Sequence, residues 1–417
     1  MSQFNWKGQH TALVVVFTVW MVSYLDRMVM STAIPYIAKD FSLSAPEMGI
    51  VMSAFFAGYA LCQIPGGILS DRFGARKVLV FAIVWWSIFT FITGWAGSLM
   101  GLLIIRLLFG IGEGIGPAAT WKTLAVWTPA SKRGKANSIM LSTNSLGPAI
   151  APLFVVGIMA YWGWQTVFYA LAIPGLLVAV WVWFSLPDNP ADKKGISPEE
   201  LAELAADHAG GNSNPAELTF FQVVAQPAVW KSFLLLLCGN TAVWGYMAWL
   251  PTYLVKNRGM EMLQMGITAS LPFFAGFIGA IVTGYLIDGI FKNYRVSFVV
   301  VVQLLMATFL YLMYNTTDPS LLIVFNIITG FFCFCCMAVT FSMPMMILPR
   351  EIVGRAMGIV NTGGQLAAFT APIIMGFLIV TDAAGKQHYD AAYAYLCFAN
   401  IAAAIVVLFF NSRKKTA

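Results

Sequence analysis

Long apolar runs separated by short polar breaks recur along the whole chain. Each lasts about 20 residues, the length a helix needs to cross a ~30 Å hydrocarbon core. Twelve such runs fall at 11–33, 48–70, 78–97, 99–123, 137–160, 165–187, 230–254, 264–288, 296–315, 319–346, 356–380 and 388–411. One polar stretch is longer than the other breaks. Residues 188–229 carry charges punctuated by Pro, Gly and Asn. This stretch reads as a cytoplasmic linker between two six-span halves, with boundaries at 1–187, 188–229 and 230–417. Within it Ser197 is placed to cap a short helix, with Pro198 at its first position and Glu199 and Glu200 in its first turn. Its charges read as a solvated face.

Composition agrees with the pattern. The 417 residues are 59% hydrophobic and 10% charged, against about 25% charged in soluble proteins. The expected class is an all-α, multi-pass membrane protein. The first run is not a cleavable signal, because it is too long, contains Asp26 and Arg27, and is soon followed by a second span. No separate catalytic domain fits between the spans, no motif has catalytic spacing, and no cofactor loop is present, so the chain does not read as an enzyme.

The net charge of +6 reports topology and not nucleic-acid binding. With both termini inside, the cytoplasmic side holds Arg72, Arg76, Lys77, Lys132, Arg133, Lys135, Lys193, Lys194, Arg350, Arg355 and the cluster Arg413, Lys414 and Lys415, among others. The opposite side holds Lys39, Lys256, Arg258 and Lys386. Basic loops stay in the cytoplasm, so both termini are expected there. The six cysteines all sit in apolar runs, and Cys333, Cys335 and Cys336 lack zinc-type spacing. They read as packing residues, and no metal or cofactor is expected. The histidines His10, His208 and His388 lie at span ends or in loops, which leaves proton carriage to carboxylates.

A few ionisable residues fall inside spans, where each costs several kcal/mol unless it faces protein or a water-filled cavity. Arg106 and Glu113 lie seven residues apart in RLLFGIGEGIGPAATWK. That spacing returns to one helix face with roughly 10 Å of rise, which suggests a polar pathway. Span 1 contains Ser23-Tyr24-Leu25-Asp26-Arg27. The alternative for Asp26 and Arg27 is a self-neutralising pair that only packs. In span 2, Tyr59 and Gln63 are one turn apart and Gly66 and Gly67 permit close helix approach. The span closes on Gly67-x-x-x-Asp71-Arg72-x-Gly74-x-Arg76-Lys77. Lys122 ends span 4 and is expected to snorkel to the interface. Span 5 carries Asn144 near Gly147-Pro148 and Pro152, which are expected to loosen the helix.

The halves repeat. Residues 133–152 align without gaps to 353–372 at an offset of 220, which pairs Gly110 with Gly330, Arg106 with Asn326 and Glu113 with Cys333. Asp26 and Arg27 fall opposite Ala248 and Trp249 at a slightly different offset. Parallel six-span repeats predict two bundles related by an axis along the membrane normal. The ionisable groups belong to the first half. The second half offers Asn240, Trp244, Tyr246, Asn361 and Gln365.

Twelve spans in two repeats, a central loop and the turn GGILSDRFGARK resemble the major facilitator superfamily. In that turn Ala75 stands where a basic residue is common, and its counterpart after span 8 is degenerate beyond Asp288. YLDR in span 1 with Arg106 and Glu113 in span 4 resembles the anion:cation symporters, and in particular bacterial sugar-acid/proton symporters of the galactonate, glucarate and hexuronate kind.

The resemblance implies a major facilitator fold of two six-helix bundles and import of an organic anion with protons by alternating access. It implies Arg27 as the holder of a substrate carboxylate, with Tyr24 and Tyr59 hydrogen-bonding the ligand. Asp26 and Glu113 would be the protonatable groups and Arg106 the charge partner whose pairing follows their protonation. Asn144 stands where galactonate-type relatives carry a glutamine, one methylene longer. Trp244, Tyr246, Asn361 and Gln365 would read the substrate from the second half. Gly67, Asp71, Arg72, Gly74 and Arg76 would form the conformational turn. The expected partners are a small organic anion, protons and the bilayer of a bacterial inner membrane, for a monomeric chain. Other carboxylates such as tartrate or an aromatic acid, a drug/proton antiporter and a membrane sensor on a transporter fold remain alternatives.

Overall fold

A computed structural model describes residues 7–193, 195–206, 220–348, 353–383 and 386–410. The described chain is almost wholly helical. In order come α1 (Gly8–Phe41), α2 (Ala45–Phe73), α3 (Ala75–Thr93), α4 (Leu99–Trp127), α5 (Ala130–Leu141) and α6 (Thr143–Ser185). After a 3-10 turn follow α7 (Pro198–Ala206) and α8 (Phe220–Val224). The later helices are α9 (Pro227–Lys256), α10 (Met262–Asp288), α11 (Arg295–Asn315), α12 (Pro319–Ile347), α13 (Val353–Leu378) and α14 (Asp390–Leu408). A short hairpin, β1 (Val380–Thr381) paired antiparallel with β2 (Gln387–His388), precedes α14.

Helix starts follow local chemistry. Ser98 caps α4 by accepting from the Gly101 amide at 3.1 Å. Asp318 caps α12 through the amides of Ser320 and Leu321, and Pro319 occupies the first helical position.

Among the described residues, ten helical stretches are long and apolar enough to cross a membrane. One of them, Ala130–Ser185, covers both runs expected at 137–160 and 165–187. Together with α13, which covers the run expected at 356–380 up to Leu378, these stretches account for the expected spans. The break between the fifth and sixth spans is therefore a kink and not a loop. Gly163 makes it, with φ 77° and ψ 170°, a conformation open to glycine at little cost. The backbone stays helical at Pro148 and Pro152, where loosening was expected.

The chain forms two compact units. One comprises Met1–Met30, Ala54–Ala151 and Gly157–Asn214; the other comprises Ser31–Ser53, Pro152–Val156 and Pro215–Ala417. In the first, α3 packs along α4. In the second, α9 packs on α13 and α14, α10 on α12, and α11 on α12 and α14. Residues 207–219 of the expected linker, together with Lys194, Arg350, Arg413, Lys414 and Lys415, lie outside the described residues. So do the side chains of Asp288 and Arg355.

The described part of the linker departs from a solvated face. Ser197 caps α7, accepting from the Glu200 amide at 3.1 Å. Glu200 is buried and accepts the Gln9 amide at the start of α1 at 3.0 Å. Glu203 bridges Lys7 at 3.1 Å and Lys132 of α5 at 2.7 Å. Glu200 and Glu203 are thus docked on the first unit, Glu200 because the unpaired amides at the α1 start attract a carboxylate, while Glu199 stays exposed.

Candidate functional site

The first unit brings Asp26 and Arg27 of α1 together with Arg106 and Glu113 of α4. Glu113 is 1% exposed, and Asp26 and Arg106 are each 2% exposed. Glu113 Oε2 collects three donors, all from one face of α1. Arg27 Nη2 lies at 2.7 Å, Arg27 Nε donates at 2.9 Å, and Ser23 Oγ donates at 2.7 Å. Ser23 and Arg27 are four residues apart, so both reach the same point on α4. Glu113 Oε1 has no hydrogen-bond partner.

Aromatic rings enclose the Arg27 guanidinium. Its Cζ lies 4.7 Å from the centroid of Tyr59, 5.0 Å from that of Tyr24 and 5.4 Å from that of Phe55. Contacts of this kind contribute about 2 kcal/mol when desolvated. Tyr24 and Tyr59, expected to bond a ligand, here present ring faces to the arginine. Phe55 also carries Arg106, whose Cζ lies 5.6 Å from it and 4.5 Å from Phe109. One phenyl ring therefore lies within reach of both guanidinium groups.

The expected pairing of Arg106 with Glu113 is not formed. Arg106 stacks over Phe109, one turn away on its own helix, while α1 delivers Arg27 at the level of Glu113. Two turns of rise separate Arg106 from Glu113, and a closer cation wins the carboxylate. Asp26 and Arg27, adjacent on α1, project about 100° apart. Its charged neighbours are Glu113 and Arg106. Neither Asp26 oxygen nor Arg106 Nε has a close hydrogen-bond partner, and the hydroxyl of Thr90 on α3 faces the Asp26 carboxyl.

A narrow cavity opens beside the ion pair. Trp20, Ser23, Arg27, Trp86, Glu113 and Thr120 contribute to its wall. Asn144 sits near the start of α6, half-buried, with its Oδ1 unpartnered.

The turn after α2 is held as a unit. Gly74 has φ 92°, and a Cβ there would lie 2.6 Å from the Asp188 carboxylate. Asp188 accepts the Arg76 amide at 2.7 Å, and the Arg76 guanidinium lies 4.7 Å from the Trp183 ring. Arg72 stacks on Phe73. Asp71 pairs with Lys122 at 2.8 Å, so that lysine has a specific partner where snorkelling was expected. Gly66 lies where a Cβ would press on the Ile115 backbone, whereas a Cβ at Gly67 would make only ordinary contact with Ala118. Close helix approach therefore belongs to Gly66 and not to Gly67.

In the second unit Tyr246 is fully engaged. Its hydroxyl donates to Asn326 Oδ1 at 2.7 Å, and Asn326 Nδ2 donates to the Thr268 carbonyl at 2.9 Å. This bond corrects the repeat. At the constant offset of 220, Asp26 falls on Tyr246 and Arg106 on Asn326, so the neutral bond stands where the first unit has Asp26 and Arg106. Trp244 is half-buried on α9, and Asn361 and Gln365 are half-buried one turn apart on α13. Among the described residues no three His, Cys, Asp or Glu side chains come together to hold a metal ion.

Ser23, Phe55 and Thr90 received no role from the sequence. The spacing of Ser23 four residues before Arg27 was the available signal. Phe55 and Thr90 look like ordinary span residues until α2 and α3 are placed.

Residues 16–317 and 292–417 match the family model described as Major Facilitator Superfamily. A "Probable galactarate/D-glucarate transporter" of Escherichia coli K12 is 30% identical, over 97% of this chain and 95% of that protein. A "Probable sulfoacetate transporter" of Cupriavidus necator is 32% identical over 89% and 88%. The "Hexuronate transporter" of Bacillus subtilis is 30% identical over 89% and 88%. Among solved structures, a D-xylose-proton symporter superposes with a TM-score of 0.78, covering 98% of this chain and 99% of that one. At 18% identity that likeness speaks for the fold alone. With a helical membrane fold, a buried charged site and family matches along its length, the chain belongs to the Major Facilitator Superfamily and is a membrane transporter, not an enzyme.

Proposed function

We propose that the protein imports an organic anion, a sugar acid, together with protons by alternating access. The observation that carries this reading is the Arg27–Glu113 pair at 2.7 Å beside a cavity. A guanidinium fork suits a carboxylate, and Arg27 is the arginine on the cavity wall. Glu113 and a substrate carboxylate compete for it. Protonation of Glu113 weakens its hold and releases Arg27 to an entering anion, so proton and anion favour the same state. Asp26 lies buried without a bonded partner, with Arg106 as its charged neighbour. An unpaired buried charge costs several kcal/mol, so protonation or closure onto Arg106 is the second adjustable step.

The proposed moving parts are the bundles of residues 1–187 and 230–417, joined by 188–229, in a bacterial inner membrane with both termini cytoplasmic. The names of the similar proteins favour hexarates, hexonates and hexuronates, with a small sulfonated acid as the second reading because of the 32% identical relative. The test is uptake into proteoliposomes of labelled D-glucarate, D-galactonate, D-glucuronate, tartrate, benzoate and sulfoacetate under an inward proton gradient. Accumulation of one acid that collapses with a protonophore is the expected result. No gradient-dependent uptake of any of them by folded protein would overturn the reading.

A further inference from the structure

We propose that Ser23 is the residue that lets Glu113 occupy both protonation states, donating to the carboxylate and accepting from the neutral acid, so that Arg27 is free to leave. The inference rests on the reading of this site as a proton-coupled anion site.

Around Glu113 the bonded donors are Arg27 and Ser23, both on Oε2, while Oε1 has none. A guanidinium has five donors and no acceptor. Arginine therefore stabilises the charged carboxylate and offers nothing to the O–H of the neutral acid. A neutral carboxyl buried to 1% exposure needs an acceptor, because an unmet buried donor costs its full desolvation penalty. A hydroxyl has one donor and two acceptor lone pairs. Ser23 Oγ, at 2.7 Å, is the one bonded partner that can serve both states.

The exchange needs no heavy atom to move. With Glu113 charged, the Ser23 O–H points at Oε2. When a proton from cavity water is taken up on Oε2, the Ser23 hydroxyl turns about its Cβ–Oγ bond and accepts the new O–H. The net proton resides on Glu113, and Ser23 neither gains nor loses one. Ser23 lines the same cavity as Glu113 and Arg27, so its hydroxyl keeps a second direction open to water. The other groups facing Glu113 are Tyr24, Asp26 and Arg27 on α1 and Arg106 on α4, with Tyr59 of α2 beyond Arg27. Of these only Arg27 bonds to it.

Ser23 is thus a positioning residue, acting through Glu113. Its test compares Ser23→Thr with Ser23→Val, which share a shape and differ by the hydroxyl, with Ser23→Ala as the variant that adds no bulk. Proteoliposomes are assayed with labelled D-glucarate, D-galactonate or sulfoacetate, whichever the wild type accumulates, for gradient-driven uptake against pH and for counterflow. Ser23→Thr is expected within about threefold of wild type. Ser23→Val and Ser23→Ala are expected to lose about tenfold or more of the maximal rate at acidic pH, with KM changed less.

In a Glu113→Gln background, where position 113 no longer titrates but the amide N–H still needs an acceptor, Ser23→Ala is expected to lower counterflow again by about fivefold. Full maximal rates in Ser23→Val and Ser23→Ala, with at most a shifted pH profile, would reduce Ser23 to a donor and overturn the proposal. So would an absent effect of Ser23→Ala in the Glu113→Gln background. Failure of the wild type to accumulate any of these acids sinks the underlying reading instead, since that result precedes every variant.

Discussion

In the proposed mechanism Arg27 has two uses that exclude each other. It cannot hold both Glu113 and a substrate carboxylate with the same two N–H groups. Glu113→Gln removes the competitor. This variant is expected to bind and exchange anions while losing accumulation against a gradient; uphill uptake at the wild-type rate would take Glu113 out of the coupling. Arg27→Ala leaves Glu113 buried beside no bonded cation, and breaking such a pair costs about 3–5 kcal/mol. Affinity for the transported acid is expected to fall by at least about a hundredfold, measured by binding calorimetry. Arg27→Lys is not expected to restore it, because an ammonium neither forks onto a carboxylate nor stacks between Tyr24, Phe55 and Tyr59 in the same plane. Near-normal affinity in either variant would refute the clamp.

Among the elements, α7 shows how far a helix's role depends on what it meets. PEELAELAA reads from sequence as a short solvated helix. Its glutamates instead tie the start of α1 to the start of α5 through Glu200 and Glu203. Bonds from Lys132 and Lys7 hold the Glu203 carboxyl below its ordinary value. The docking it contributes is therefore fully present above the usual carboxylate range and is lost as pH falls through that lowered value. Hydrogen exchange at the first turn of α1 is expected to quicken over that acidic window and at high salt. Glu203→Lys, which sets a cation between Lys7 and Lys132, is expected to quicken it at neutral pH; unchanged protection would mean that the bridge holds nothing. The spans themselves were legible, because run length and hydropathy are properties of one segment at a time. The Gly163 kink was not, since a glycine among apolar residues looks the same in a straight helix. Nor was the partner of Glu113, because it depends on which face of α1 meets α4, and a linear pattern does not carry that.

At the scale of the whole chain, the repeat separates what is structural from what is adjustable. Both units place a polar side chain of their first helix against one in the fourth helix of the repeat, at positions 26 and 106 and again at 246 and 326. In the second unit the pair is neutral and closed, Tyr246 to Asn326 at 2.7 Å, with Asn326 anchored further on α10. In the first unit the equivalent groups are ionisable, buried and unbonded to each other. A neutral bond of this kind contributes about 1 kcal/mol and does not respond to pH in the physiological range. A carboxyl and a guanidinium in the same place do respond, because their attraction depends on a proton. Tyr246→Phe is therefore expected to lower the thermal unfolding midpoint in detergent while leaving the pH profile of uptake where it was. Asp26→Asn is expected to do the reverse, keeping the midpoint and flattening the profile. Measuring both quantities on both variants tests the division directly. A pH profile displaced by Tyr246→Phe would mean that the second unit takes part in proton coupling and that the asymmetry of charge between the halves does not mark a division of labour.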